Sequence, residues 1–298
     1  MILLEILYMK LEPFKQDTIC AGIVLYNPDL RRLRKNVEAI GKQVDIIIFA
    51  DNGSTNQTEV DKYISTLEID YIIIQNSENK GIAVALNQIM EVATNRRIDW
   101  VLTLDQDSVC PTNLISIYRK YMRLPNVGIL CPLIKDRNFG YLVSPNKTNI
   151  QKVDECITSA SLTLTKVWKN VGGFDEQLFI DGVDTEYCYR LRNFGYDILR
   201  INEVTLIHEI GRTASIVNIF GHRFIVYNHA PFRYFYITRN LIYIAKKHNN
   251  YKRPQIIKIP AIIFIRLYLT LIYEKEKTEK IKAILRGVAA GIKMRNKI

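Results

Sequence analysis

The chain has 298 residues, 48% of them hydrophobic, and a formal net charge of +11, which permits one large α/β domain, or a domain with an appendage, around a sizeable core. The charge is uneven: residues 233–298 hold 16 Lys/Arg and 3 Asp/Glu, whereas residues 1–232 hold 25 and 27, so nucleic acid is not needed to explain the main body. Five scattered cysteines without a C-x-x-C pair argue against a zinc ribbon and a disulfide framework, and the odd count fits a reducing compartment such as the cytoplasm.

Met1–Lys10 is apolar but carries Glu5 and lacks a basic leader and a small-residue cleavage site, so no signal peptide is expected; Met9 is a second candidate start. Thr18–Leu25 reads as a buried strand, closed by the turn signal Tyr26-Asn27-Pro28-Asp29. Leu30–Lys42 reads as a helix with Leu33, Val37 and Ile40 on one face. A second strand, Asp45–Ala50, runs into Asp51-Asn52-Gly53-Ser54. After another helix comes the strand Tyr71–Ile74, then the loop Gln75–Gly81 and a helix over Ile82–Ala93. The strand Trp100–Leu104 ends in Asp105-Gln106-Asp107.

This alternation with nearly continuous apolar strands predicts a mostly parallel sheet covered on both faces. Ligands of such sheets bind at the carboxyl ends of the strands. Asn27, Asp51, Asn79 and the Asp105/Asp107 pair all fall at those ends. Two carboxylates one residue apart are hard oxygen donors, suited to Mg²⁺ or Mn²⁺ and through it to a diphosphate. Asp51-Asn52-Gly53 is also a plain turn signal, and Asn79-Lys80-Gly81 a plain cap region. No G-x-x-x-x-G-K-[ST] and no G-x-G-x-x-G occurs, which weakens P-loop and dinucleotide-dehydrogenase readings.

The second half is less regular. Cys156–Thr165 alternates in part and reads as a strand returning beneath the site. Asp181, Asp184 and Glu186 crowd a helix start. There Asp181 reads as the N-cap, Glu186 and Arg190 as an i,i+4 pair, and Asp184 either as a first-turn acid or as a general base aimed at the cleft. His208 closes an apolar run and is either a hydrogen-bonded loop residue or a third metal ligand. Arg212 just beyond it is placed to meet a phosphate or is a solvated surface residue. In residues 233–298, charge-free runs reach only seven residues, too short to span a bilayer. That region reads either as a basic surface resting on an anionic membrane or as a packed helical appendage.

Taken in order, Leu25-Tyr26-Asn27-Pro28, Asp51-Asn52-Gly53-Ser54, Glu78-Asn79-Lys80-Gly81, Leu104-Asp105-Gln106-Asp107, Gly172-Gly173-Phe174-Asp175, Asp181–Arg190 and His208 resemble the inverting glycosyltransferases of family 2 with the GT-A fold. Asp181–Glu186 and the later Tyr236-Ile237-Thr238-Arg239-Asn240 are similar to the bacterial rhamnosyltransferase branch. The resemblance spans roughly residues 18–245. It implies a nucleotide-binding half at about 18–108 and an acceptor and catalytic half at about 109–232, making a GT-A domain over 1–232, followed by a basic helical region over 233–298. It further implies that Asn27, Asp51, Asn79, Gly81, Asp105 and Gln106 contact the nucleotide sugar. Asp105, Asp107 and His208 would bind Mn²⁺ or Mg²⁺, and Asp184 would be the catalytic base. Asp181 and Arg212 are assigned to the sugar or acceptor. The expected reaction moves a sugar, L-rhamnose from dTDP-rhamnose on the branch resemblance, to a hydroxyl of a cell-surface polysaccharide or lipid-linked saccharide. A cytoplasmic enzyme, peripheral on the inner membrane face, is expected. A nucleotidyltransferase or a non-catalytic nucleotide-sugar-binding module are the alternatives; the first usually carries a Gly-rich basic loop after strand one, where this chain has Tyr26-Asn27-Pro28-Asp29.

Overall fold

The computed structural model describes residues 17–136, 140–141, 148–208, 215–219, 221–248 and 253–295. The first half runs β1 (Ile19–Leu25), α1 (Leu30–Gly41), β2 (Ile46–Asp51), α2 (Gln57–Ile64), β3 (Tyr71–Gln75), α3 (Ile82–Asn95), β4 (Trp100–Asp105) and α4 (Leu114–Arg119). The second continues with β5 (Val127–Asp136), β6 (Gly140–Tyr141), β7 (Ile150–Val153), β8 (Ser161–Leu164), α5 (Thr165–Val171), α6 (Val183–Asn193), β9 (Asp197–His208), β10 (Ser215–Ile219) and β11 (His222–Val226). Three helices close the chain: α7 (Pro231–Lys247), α8 (Arg253–Tyr273) and α9 (Lys277–Lys293).

The main sheet has the order β3-β2-β1-β4-β8-β5-β9-β7, with β6 on β5. β1 pairs in parallel with β2 on one side and with β4 on the other. The chain therefore winds outward through β3 and returns across β1 to β4, which makes the β1/β4 boundary a topological switch point. β8 is antiparallel to both β4 and β5. The expected mostly parallel sheet is present, with antiparallel strands confined to its second half.

Strand alternation sorts the core into two layers. Ile19, Ala21, Ile23 and Leu25 of β1 join Leu33, Val37 and Ile40 of α1, with α2 and α4 on the same face. Cys20 and Val24 point the other way, toward Leu86 and Ile89 of α3 and, farther along, Tyr187 of α6 and Tyr243 and Ile244 of α7. Each fully buried Val, Leu or Ile among these contributes roughly 1.5–3 kcal/mol. α1 starts where Asp29 accepts from the Arg31 backbone N–H at 2.9 Å.

Two expectations need correction. Pairing in the Cys156–Thr165 segment begins only at Ser161, because a turn precedes it: Ser161 N donates to Thr158 O, Ala160 adopts φ 58°, and Thr165 already opens α5. The N-cap of α6 is Gly182 at φ 84° rather than Asp181, because Asp181 is itself left-handed at φ 64° and turns its carboxylate away to Arg233.

The boundary drawn at 232/233 falls in the first turn of α7, a helix that packs on both sides. Toward the sheet, Lys247 meets Asp175 at 2.5 Å and Glu186 at 2.9 Å. Toward α9, Gly287 and Gly291 lie against α7 so closely that an added Cβ would stand 2.6 Å from Phe235 O and 2.7 Å from Arg239 O. Among the described residues no helix is long and apolar enough to cross a membrane. The Met1–Lys10 segment and Arg212 lie outside the described residues.

Glu186 is 0% exposed. Its carboxylate accepts from Arg190 Nε at 2.7 Å and lies 2.9 Å from Lys247 Nζ and 3.2 Å from His248 Nε2. Burial alone would raise its pKa; the hydrogen bonds from His248 and Arg190 and the charges of Arg190 and Lys247 outweigh that and hold it at about 2. Replacing it leaves buried cations without a counter-charge, so Glu186→Ala is expected to cost about 3–5 kcal/mol in urea unfolding. Because the folded pKa lies below the ordinary 4.5, this stabilisation is present above pH 4.5 and is lost as pH falls toward 2. An unchanged unfolding midpoint for Glu186→Ala, or the same acid sensitivity in both proteins, would contradict this role.

Candidate active site

The site forms where β1 and β4 diverge. Val24 is the register partner of Asp105, so the Tyr26-Asn27 turn and the Asp105–Asp107 turn leave the sheet side by side. The Gln106 side chain stitches them together: its Oε1 accepts from Tyr26 N at 2.8 Å and its Nε2 donates to Tyr26 O at 3.3 Å. α1 grips the same turn from below. Asn36, fully buried, donates to Asp105 O at 2.6 Å, and Arg32, one helical turn earlier, pairs with Asp107 at 2.9 Å. Sequence reasoning passed over both; the signal was a buried Asn interrupting the apolar stripe of α1.

Next to it, Asn27 at φ 47° accepts from Thr55 N at 2.7 Å and from Thr55 Oγ1 at 2.9 Å, tying the β1 turn to the β2 turn. Asp51 is 1% exposed and its Oδ1 accepts from Gly53 N and Ser54 N. Its Oδ2 is buried without a partner, an acceptor that a ligand N–H would satisfy. Asn52 bridges to the β3 loop, donating to Asn79 Oδ1 at 2.9 Å and accepting from Lys80 N at 3.0 Å. Asn79 also accepts from Gly81 N at 3.0 Å. Gly81 has φ 90°, and a Cβ there would stand 2.7 Å from Phe179 O. Only glycine lets the Phe179–Asp184 loop come this near, and Ile82 N closes the contact by donating to Phe179 O at 2.8 Å.

That loop carries Asp181 and Asp184. Asn240 of α7 donates to Ile180 O and Asp181 O, each at 2.7 Å, and Arg239 donates to Gln177 O at 2.8 Å. Through these contacts the Tyr236–Asn240 motif clamps the left-handed turn before α6. Asp181 itself is bound to Arg233 at 2.6 Å.

Asp184 sits half-buried in the first turn of α6 and accepts at Oδ1 from Thr185 N at 2.8 Å. Burial is the main cause that lifts its pKa to about 6; backbone N–H bonds oppose it, and the charges of Asp105 and Glu155 add to it. Asp184 lines a pocket of ≈ 210 Å³ with Glu155, Thr185, Cys156 and Arg200. Glu155, which sequence reasoning missed, accepts from Tyr189 Oη at 2.6 Å and from Thr185 Oγ1 at 3.3 Å. A carboxyl with its pKa lifted to about 6, in the field of two other acids, is an arrangement suited to a general base working near neutral pH.

Among the described residues no three His, Cys, Asp or Glu side chains cluster as a metal site. The end of β9 passes near the acidic turn: Ile207, next to His208, bridges to Val109, two residues past Asp107. The His208 side chain lies outside the described residues. Asp105 at the strand end and Asp107 beside it are hard oxygen donors of the kind Mg²⁺ and Mn²⁺ take, so the residues fit such an ion, with Arg32 as the present partner of Asp107.

Known proteins bear on this geometry in three ways. Structures of S. aureus TarS 1-349 match: the complex with UDP-GlcNAc has TM-score 0.60 at 15% identity, covering 92% of this chain and 81% of that one. GalNAc-T7 with UDP, GalNAc and Mn²⁺ matches with TM-score 0.58 at 15% identity over 77% of this chain, which spans only 47% of that protein. These likenesses establish a GT-A-type fold. By sequence, the chain is 28% identical over 294 residues to the dTDP-rhamnosyl transferase RfbF of Shigella flexneri, covering 93% of this chain and 96% of RfbF. Finally, the family model for glycosyl transferase family 2 matches residues 20–188, from the start of β1 through the Asp184 turn of α6. The chain belongs to glycosyl transferase family 2.

Proposed function

We propose that this glycosyltransferase moves L-rhamnose from dTDP-rhamnose to a hydroxyl of a saccharide acceptor with inversion at the anomeric carbon. The observation that carries the reading is Asp184, a carboxylate with pKa about 6 at the start of α6, electrostatically coupled to Asp105 at the switch point. The extent of the match to a dTDP-rhamnosyl transferase supports the donor. Family membership decides against the nucleotidyltransferase and non-catalytic alternatives.

In this reading the orphan Oδ2 of Asp51 accepts the imide N–H of a pyrimidine base, with Asn27, Asn79 and Gly81 around the nucleoside and Gln106 fixing the turn beneath it. Asp105, Asp107 and His208 would hold a divalent cation, which supplies positive charge against the departing diphosphate. Asp184 takes the acceptor proton while the acceptor oxygen bonds to the anomeric carbon from the face opposite the diphosphate. The carbon–oxygen bond to the phosphate breaks in the same displacement, the glycoside and dTDP leave, and Asp184 returns its proton to water. No enzyme nucleophile is required. Asp181 and Arg212 are assigned to the acceptor side. The basic α8, where Ile257 is 78% and Phe264 71% exposed, is proposed to rest on an anionic membrane.

Four measurements test this. Asp184→Asn should lower kcat by about 10²–10⁴-fold while keeping dTDP affinity, as expected for loss of a general base. In the wild type, kcat/KM should rise with pH through about 6 and level off above, because the base acts only when deprotonated; a flat profile, or near-normal turnover by the variant, would remove Asp184 from this role. In a thermal-shift panel, dTDP and dTDP-rhamnose should stabilise the protein in Mn²⁺ more than UDP or GDP sugars do, with the effect lost in EDTA. Preference for another nucleotide sinks the donor assignment, and indifference to EDTA sinks the metal. Last, the protein should co-sediment with anionic liposomes at low salt and be released as salt rises; no binding at low salt would count against membrane docking.

A further inference from the structure

The pocket of Asp184 also contains a cation, Arg200, which lines it from β9. Along this strand Leu199 and Ile201 join the core layer of α1, whereas Ile198 faces the layer of α6. Alternation puts Arg200 on the face of Ile198, beside its register partner Cys131 of β5, where a hydrocarbon side chain is the rule. It is nevertheless only 9% exposed. A charged residue that breaks the strand pattern inside a cavity points to function more than to folding.

The guanidinium is held but not neutralised. Nε donates to Asn202 Oδ1 at 3.1 Å and Nη2 to Gln151 Oε1 at 2.7 Å, both neutral amides. Among the described residues it makes no ion pair, and Nη1 makes no hydrogen bond. The acids nearby in the sheet are committed to other cations: Asp197 to Lys152, Glu203 to Lys120 at 3.1 Å and, just past β7, Asp154 to Arg192 at 2.5 Å. A guanidinium withdrawn from water without an anion is costly, and an incoming anion removes that cost. The ladder is interrupted at the same point. Pro132 is the register partner of Ile201 but Leu133 that of Thr205, so residues 202–204 bulge out of the pairing. Asn202 lies in that bulge and aims Arg200, the use that bulges beside ligand sites commonly serve.

The cavity, ≈ 210 Å³, has the size of a single sugar ring and is too small for a nucleotide. Leu133 and Ile157 offer apolar wall to the C–H face of such a ring, and Glu155 and Asp184 offer acceptors to its hydroxyls. Those same two carboxylates repel a dianion, so a ligand with one negative charge suits the cavity better than a phosphate or diphosphate. None of the lining comes from α8, so a membrane surface against that helix does not reach Arg200. We propose that the acceptor residue is an acidic sugar, a hexuronate, whose carboxylate pairs with Arg200 while its hydroxyl meets Asp184. The proposal rests on the transferase reading above, since the ring that Arg200 holds is the one that receives the transferred sugar. A planar guanidinium matched to a carboxylate is the pairing that discriminates most sharply against a neutral hexose.

The probes are the methyl glycosides of glucuronic, galacturonic and mannuronic acid, each beside its neutral hexoside and the 6-phosphate of that hexoside. Binding to the full chain is titrated by ligand-observed NMR in EDTA without donor, and transfer from dTDP-rhamnose is read by product mass. At least one uronide should bind the wild type about tenfold or more tightly than its hexoside, the size of a charge-assisted hydrogen bond. Arg200→Gln should bind that uronide no better than the hexoside, with hexoside affinity unchanged, a selective loss that general damage to the fold would not give. Unchanged dTDP affinity in Mn²⁺ shows that the variant is folded. Should it fail this, Arg200→Lys decides: it keeps the charge but loses the planar fork, and should weaken the uronide roughly threefold while sparing the hexoside. No binding of any uronide by the wild type, hexosides bound as tightly as uronides, or a uronide preference that survives in the variant overturns the proposal. So does tighter binding of the 6-phosphates, which would assign Arg200 to a phosphate. A wild type that transfers to hexosides as readily as to uronides removes the subsite and leaves the transferase reading intact. One that binds uronides through Arg200 but transfers from no nucleotide sugar sinks the transferase reading and leaves the subsite standing.

Discussion

The buried carboxylate of Glu186 fixes where Asp184 can be. It lies on α6 two residues after Asp184, and it draws Arg190 of its own helix together with Lys247 and His248 from the end of α7. Arg190 then donates to Val171 O at 2.9 Å and Gly173 O at 2.5 Å, so the end of α5 is bound into the same knot. With no exposure to water, the carboxylate cannot exchange these partners for solvent, and any rotation of α6 would strand charge in the core. The basic segment after residue 232 is therefore partly used to hold α6 in place. Its positive charge is a structural demand of one buried acid as well as a property of the surface.

A second constraint acts from the other side of the site. The β3 loop and the Phe179–Asp184 loop meet at Gly81, where the backbone of Phe179 lies too close for any Cβ. On the sheet side of that contact, amide side chains extend the ladder past its end: Gln106 onto Tyr26, Asn52 onto Lys80 and Asn79, Asn27 onto Thr55. Each of these groups is a polar side chain used as backbone. Loops held this way present their remaining donors and acceptors at fixed positions, which is what a pre-organised ligand site requires. The unpaired Oδ2 of Asp51 lies buried among these anchored loops.

The sheet edge was legible in the sequence because its signals are local. Apolar runs end in Asn27, Asp51 and Asp105, and period and polarity alone place these at carboxyl ends. Asp184 was legible as a first-turn acid for the same reason. What escaped notice depends on contacts distant in sequence. Asn36 interrupts the apolar stripe of α1, but nothing local names its partner Asp105, 69 residues away, or marks Glu155 as a neighbour of Asp184. Asp181 reads as a cap because Asp before a helix usually is one; its left-handed backbone and its bond to Arg233, 52 residues on, accompany the clamp by Asn240 and carry no local signal. α6 carries ordinary helical signals, whereas the short helix α5 and the short strands β6, β7 and β8 owe their state to their neighbours and carry little pattern of their own.

The basicity of Asp184 is a balance struck by these same features. Burial and the nearby charges of Asp105 and Glu155 push its pKa up. The Thr185 N–H and the positive end of α6, left without a side-chain cap because Gly182 occupies that position, push it down. A capping side chain at 182 would add an acceptor at the helix start and take donors from the carboxylate's surroundings. Gly182 is also required by space, since a Cβ there would stand 2.8 Å from Ile244 Cδ1 of α7. The uncapped helix start and the packing of α7 are thus one condition, and the carboxylate at that start is half-ionised near pH 6, ready to accept a proton in neutral solution.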